Sequence, residues 1–598
     1  MASYGAVPTN PDPAVEDEVE SLRREEAMRR GRRAAAVIGL AGALVVACVL
    51  SFVHLPTSRT ASPAMRTSIE NMAEDEGKDA FLEPPRVIAD ASAEYVDVHL
   101  ELGVSRIQVG DVSMHMRSFN HDFPAPTIVV RRGQTLRVML WNKLESDANA
   151  GQAMNAFRRP NTTVLHTHGL HVSPVDSDNI YRSIEPGMHA HFIYPIPKNH
   201  PIGTFWLHPH YHGSTTLQSA YGAFAALLVE DEEPSSSKTA SDVEVDEDHV
   251  MLVGWVDVGS GKRTDILEDE RLSGSAMDVS LKPKGYASNG GFLAVNGRPN
   301  STLTMRVGEL HRWRIVNAVV DGVLRIVIED DQACSVAEIA ADGITYEAPR
   351  QVSSKHGVLI APGSRRDLLI RCIEDTMVRS VLDADRGGVD EKILRYLGNG
   401  TNIAAGEVVR INVHGKTSNG SSKLESARSG VNLGSESGNT AEPLKDLREH
   451  EPAVRKVVEY TQGGPSTPKI EREGNKYTFY GINGQPYSPE IATLTVKLDQ
   501  VVEWTIRNEN CLDGSPALES HPFHLHTNHF QIVNVSSPNT GDYSPDFAVG
   551  DWRDTIAVPA PGNVTIRWVA RDFTGPDARV NMSIGMGMGM GTGMSVDL

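Results

Sequence analysis

Cysteine is scarce. There are four in 598 residues, at Cys48, Cys334, Cys372 and Cys511, and no two form a Cys-x-x-Cys pair. That excludes a disulfide scaffold and a cysteine-built zinc site. A bridge between Cys334 and Cys372 is open to the chain in an oxidising lumen, but spacing alone does not establish it. No Gly-rich loop of the phosphate-cradling kind is present, so no nucleotide site is expected. Basic residues are outnumbered, 57 Lys and Arg against 77 Asp and Glu for a net charge of -20. Such a balance argues against nucleic acid or an anionic membrane surface as partner. Long amphipathic helical stretches are also missing. Short β-branched and aromatic runs between Gly and Pro turns take their place, the signature of an all-β chain.

One long apolar run stands apart. Ala34 to Val53 carries no charge over 20 residues, enough to cross a bilayer as a helix. Arg23, Arg24, Arg29, Arg30, Arg32 and Arg33 precede it and few basic residues follow. The bias predicts a single-pass anchor with residues 1–33 in the cytoplasm and the bulk of the chain extracellular or lumenal. A cleaved signal peptide fits less well, because the charged region is long and no small-x-small site follows. Asn-x-Ser/Thr sequons at Asn161, Asn300, Asn399, Asn419, Asn534, Asn563 and Asn581 are compatible with a secretory glycoprotein.

After the anchor, residues 54–90 are polar and irregular and read as a stalk. The remainder is too long for one core and divides by composition. Residues 91–232 and 249–414 are β-rich blocks joined by an acidic, Ser-rich stretch. Residues 415–451, rich in Ser, Gly, Asn and charge, are expected to be a disordered linker. A third β-rich block occupies 452–598. Three β-sandwiches account for the length.

Histidine supplies the chemistry. With 22 His in the chain, random placement gives about 0.8 His-x-His pairs; five occur, at 166/168, 189/191, 208/210, 210/212 and 524/526. In a strand, side chains two apart leave the same face, so each pair points into one site. His166 and His168, His208 and His210, and His521, His524 and His526 sit in apolar strand-like segments, which implies a metal centre assembled from both ends of the chain. Imidazole suits copper, zinc, iron and nickel, but seven paired histidines exceed what a single structural ion needs.

These segments resemble the multicopper oxidases, the family of laccases, ascorbate oxidase and ferroxidases. The likeness runs from Val96 to Gly575 and rests on Leu165-His166-Thr167-His168-Gly169-Leu170-His171, Gly203 to Gly213, Val295-Asn296-Gly297, Ala361-Pro362-Gly363-Ser364-Arg365, His521 to His526 and Gly550 to Thr555. It implies three cupredoxin-like sandwiches after the transmembrane helix, with a trinuclear copper cluster between the first and third. By motif position, His166 and His524 would bind its type 2 copper, and His168, His208, His210 and His526 part of the type 3 pair. His521 would be a ligand of a separate type 1 copper. The implied reaction oxidises a small reducing substrate, a phenol or a metal ion, one electron at a time and reduces O2 to water. No nucleic acid is implied. His171, His212 and His529 match no ligand position.

The chain departs from that pattern at its carboxyl end. The family's His-Cys-His motif is expected soon after Asp572-Phe573-Thr574-Gly575, yet no Cys follows Cys511 and no His follows His529. The type 1 thiolate and two type 3 ligands are therefore missing, and a blue copper site needs a thiolate beside its imidazoles. The Gly/Met run that follows reads as low-complexity sequence. Two outcomes are open: an oxidase whose carboxyl end was altered in the sequence as given, or a catalytically silent relative with a partial copper site. Either way the chain as written is expected to lack normal oxidase activity.

Overall fold

The computed structural model describes residues 79–146, 159–231, 243–257, 291–381, 391–415, 444–485, 492–573, 579–584 and 592–597, apart from gaps of one or two residues within those spans. The expected anchor at 34–53, the segment before it and 416–443 of the expected linker lie outside the described residues. Among the described residues no helix is long and apolar enough to cross a membrane.

Strands dominate because the sequence alternates. Tyr95–Val109 buries Val96, Val98, Leu100 and Leu102 and turns Tyr95, Asp97 and His99 outward, the period of a half-buried strand. Val501–Asn508 repeats the pattern with Val502, Trp504 and Ile506 inside. Only two short helices, Thr215–Ala220 and Glu391–Leu397, accompany the strands among the described residues.

Among the described residues, three pairs of sheets follow in chain order, with a separate two-stranded ribbon of Ile470–Arg472 and Asn475–Tyr477. The first pairs a five-stranded sheet (Arg86–Ile88, Thr127–Arg131, Ala225–Glu230, Gly203–Pro209, Leu165–His168) with a four-stranded one (Val112–Phe119, Tyr95–Val109, Thr135–Asn142, His189–Pro195). Phe119, Val138, Phe192, Phe205 and Leu227 fill the space between them. The second pair draws on strands from Glu247 to His414 around Trp313, Ile315, Leu368 and Ile411. The third draws on Val454 to Asp597 around Trp504, Phe523, Phe530 and Trp568. Val129, Trp206 and Leu228 meet Val250, Leu252 and Val316 in an apolar seam that joins the first pair to the second.

One expectation is corrected. The stalk does not extend to residue 90: Arg86–Ile88 is a parallel partner of Thr127–Arg131, and Ala80 bridges to Thr302. Its polar composition hid a strand at the sheet edge, where one exposed face tolerates such residues. The Gly/Met run at 585–591 lies outside the described residues, and the strands on either side of it, Arg579–Ile584 and Thr592–Asp597, pair with each other. The first of them also pairs with His521–Leu525, placing Ser583 opposite His524 where the resemblance would put the His-Cys-His strand. Cys334 and Cys372 stand opposite each other on neighbouring strands and form a disulfide, the possibility that spacing left open.

Candidate metal centre

The histidine strands break the alternation that shapes the rest of the molecule. Leu165–His168 and Gly203–Pro209 are buried at every position, since one face packs into the first core through Leu165, Phe205 and Leu207. The other face meets the second and third sandwiches. It carries His166, His168, Trp206 and His208, and the Trp206 indole N–H donates to Gly363 O at 3.1 Å. Across the boundary, His521–Leu525 presents His524, and His526 follows directly.

Six of the seven predicted site residues converge. The His168 ring stacks on His524 at 3.6 Å between centroids, and His166 on His526 at 3.9 Å. His208 lies 5.3 Å from His166, and His210 lies 5.0 Å from His166 and 4.8 Å from His526. One nitrogen from each of His166, His524 and His526 falls within 4.8 Å of the others, and so it is for His166, His168 and His208.

Four of the six rings are anchored through one nitrogen, which fixes the tautomer and aims the other inward. His166 Nδ1 donates to Asp178 Oδ2 at 2.6 Å, while Thr167 N and Oγ1 hold Asp178 Oδ1. His208 Nδ1 donates to Pro209 O at 3.0 Å, and His524 Nδ1 to Asp554 O at 2.9 Å. His168 Nε2 donates to Thr555 Oγ1 at 3.0 Å, and that hydroxyl donates to Asp554 Oδ1 at 2.7 Å. Arg365, from the second sandwich, forks onto the same carboxylate at 2.8 and 2.7 Å. None of Asp178, Arg365, Asp554 and Thr555 was singled out as a site residue from sequence. Arg365, Asp554 and Thr555 lay inside strings that carried the resemblance, but their roles depend on contacts too distant in sequence to be seen.

The inward nitrogens test whether a metal fits. His166 Nε2, His524 Nε2 and His526 Nε2 are buried without a hydrogen-bond partner, which is costly for a polar atom. His168 Nδ1 and His208 Nε2 lie 3.4 Å apart. With both protons committed outward, two lone pairs face each other and repel unless a cation takes them both. Burial and the neighbouring imidazoles hold His166 and His526 well below the usual histidine range, and burial does the same for His168 and His208. Burial brings His210 down to about 4. Neutral rings with free lone pairs are what a transition metal requires. Burial alone would keep Asp554 protonated, but the Arg365 charge and hydrogen bonds from His168, His524 and Arg365 hold its pKa well below the usual carboxylate range. Asp178 lacks such a cation, and burial lifts its pKa to about 7 against the Thr167 hydrogen bonds.

His521 stands apart from the six. Its Nε2 meets Gln462 Oε1 at 2.8 Å, and Gln462 Nε2 points at Cys511 Sγ, 3.4 Å away. All three side chains are buried, and burial lowers the His521 pKa to about 4. The nearest expected thiol is thus separated from His521 by an amide. Of the remaining histidines, His171 Nδ1 meets Thr527 O at 2.7 Å and its Nε2 meets Asp572 at 2.7 Å, tying the first sandwich to the third. His529 Nε2 lies 3.3 Å from Asp342 O of the second.

Sequence models of the multicopper oxidase family match residues 152–234 and 449–596. A multicopper oxidase of Staphylococcus epidermidis is 21% identical over 417 residues, 70% of this chain and 70% of its own length. Laccase-1 of Cryptococcus neoformans is 24% identical over 466 residues, 69% of this chain and 65% of its own length. Among solved structures, a multicopper oxidase from Campylobacter jejuni, described as a metallo-oxidase, superposes with a TM-score of 0.60 at 18% identity, covering 87% of this chain and 95% of that one. McoA from Aquifex aeolicus superposes with a TM-score of 0.59 at 17% identity, covering 87% and 99%. These structural likenesses concern the fold.

Proposed function

We propose, from the premise that this chain belongs to the multicopper oxidase family and is an oxidoreductase, that His166, His168, His208, His210, His524 and His526 hold copper as a partial trinuclear cluster. The observation that carries the proposal is the set of orphaned imidazole nitrogens, buried and turned toward one another from both ends of the chain. Copper held there supplies reversible one-electron chemistry, because imidazole binds both of its common oxidation states. The residues around it keep the rings neutral, fix their tautomers through Asp178, Pro209, Thr555 and Asp554, and exclude water. O2 and a small reducing substrate, phenol-like or a metal ion, are the partners.

His521 supports a limit on that activity. With Gln462 between it and Cys511, no thiolate reaches the ring, so the chain forms no blue type 1 centre and passes electrons from substrate poorly. The second reading, a silent copper-binding relative, is favoured by this same amide plug. Metal analysis and electron paramagnetic resonance of purified protein test the copper site: bound copper that His166→Ala and His526→Ala release supports it, and a protein that takes up none refutes it. O2 uptake with a phenol or Fe(II) then separates the two readings. An intense thiolate-to-copper absorption band would refute the limit on activity.

The anchor at 34–53 leads us to propose a single-pass protein with its β-sandwiches outside the cytoplasm. Protease accessibility of those sandwiches in intact cells tests it. Glycosylation belongs at exposed sequons such as Asn300 and Asn534. Asn161 is a poor acceptor, because it is buried and its Nδ2 donates to Glu145 O at 3.0 Å.

A further inference from the structure

One of the five His-x-His pairs takes no part in the buried cluster. His189 and His191 lie on His189–Pro195, the edge strand of the four-stranded sheet, and both are exposed. The strand alternates as an edge strand should. Phe192 and Tyr194 point into the core, and His189, His191 and Ile193 point to solvent. The strand's own geometry therefore puts two imidazoles side by side on an open face.

Their spacing is that of ligands. His189 and His191 have ring centroids 5.8 Å apart with planes at 84°. Within the buried centre the corresponding distances are 5.3 Å for His166 to His208 and 5.6 Å for His166 to His168. Two imidazoles on one ion, with metal–nitrogen bonds of about 2.0 Å, put their centroids roughly 4.5–5.5 Å apart. A small side-chain rotation closes the difference; the His189 ring leans on Trp141 at 5.9 Å between centroids, so His191 makes most of that rotation. Neither ring nitrogen of His189 or His191 is committed to an anchoring carboxylate or carbonyl of the kind that fixes His166 or His208. Met139 pairs directly with His191 on the neighbouring strand, and His99 pairs with Met139 on the next. A thioether and a third imidazole thus flank the pair in one cross-strand row.

We propose that His189 and His191 form a surface chelate for a borderline divalent cation, Cu(II) first by the general affinity order of nitrogen ligands. Met139 stands beside it as a soft donor. The site is separate from the buried imidazoles and does not depend on the function proposed for them.

The test uses copper-loaded protein whose surface-held copper has been stripped by a brief chelator wash that the buried ions resist, and titrates it with Ni(II) by calorimetry, since Ni(II) binds imidazole well without displacing the buried copper. The wild-type protein takes up about one further equivalent of Ni(II). His189→Asn and His191→Asn each abolish that uptake, while His450→Asn, at an exposed position elsewhere, leaves it intact. All three changes lie on the surface and spare the core. No further uptake by the wild type overturns the proposal, as does uptake that survives in both Asn variants or is lost equally in His450→Asn.

Discussion

Arg365 of the middle sandwich grips Asp554 of the last through two hydrogen bonds of 2.8 and 2.7 Å. Its Nε also donates to Thr204 O of the first at 3.1 Å. One guanidinium therefore ties all three sandwiches together directly behind His168 and His524. Arg365→Gln should cost about 3–5 kcal/mol, since it leaves a buried carboxylate unpaired. Denaturant unfolding checks the stability, and metal analysis should show copper retention falling with it. Arg365→Lys keeps the charge but lacks the fork, and should recover only part of the loss.

Gly169 sits against that grip with φ of +93°, and a Cβ there would collide with the Arg365 guanidinium and the Asp554 carboxylate. Gly169→Ala should therefore combine backbone strain with overpacking, about 1–3 kcal/mol or more. It should also displace His168, so copper binding is expected to weaken beyond what the loss of stability explains. Comparing metal affinity at temperatures of equal folded fraction checks this.

Acid should unfold the metal-free protein early. Burial holds His521 and His210 at about 4, His200 at about 3, and His166, His168, His208 and His526 well below an ordinary histidine. Because their folded pKa values lie below the unfolded value of about 6.5, their contribution is complete above that pH and is lost as pH falls through about 4. Asp178 acts in the opposite direction: raised to about 7, it loses its contribution as pH rises through that value. Glu519, also raised by burial, acts the same way, but two such carboxyls against seven histidines leave stability rising with pH. Urea midpoints of metal-free protein should drop steeply between about pH 6 and 4, and less so with copper bound, because the ion competes with protons for the same lone pairs.

Reduction of the Cys334–Cys372 bridge, which spans 38 residues, should lower stability by about 2–4 kcal/mol. It lies in the second sandwich, in none of the segments that carry the six imidazoles. Thermal melting with and without reductant, alongside copper content, checks that the loss is confined to stability.

Much of the centre was legible because it is local. His166 and His168, and His524 and His526, announce a shared face by their spacing, and the β-rich runs around them place that face on strands. What surrounds the rings was not legible. Asp178 lies twelve residues from His166, and nothing in its neighbourhood distinguishes it from a surface carboxylate. Arg365 reaches Asp554 across 189 positions. The middle block, which carries no His-x-His pair, proves to supply the cation behind the site. Gln462 was invisible for the same reason: its contact with His521 spans 59 positions. Arg86–Ile88 was lost to the stalk because three residues are too few to show a period.

The hydrogen bond from His168 to Thr555 spans 387 positions. A nascent polypeptide that has made only its first two sandwiches has His166, His168, His208 and His210 but lacks His524 and His526 to close over them. Copper at the buried centre would therefore enter late in biogenesis, and a retained ion would certify that the last sandwich has docked.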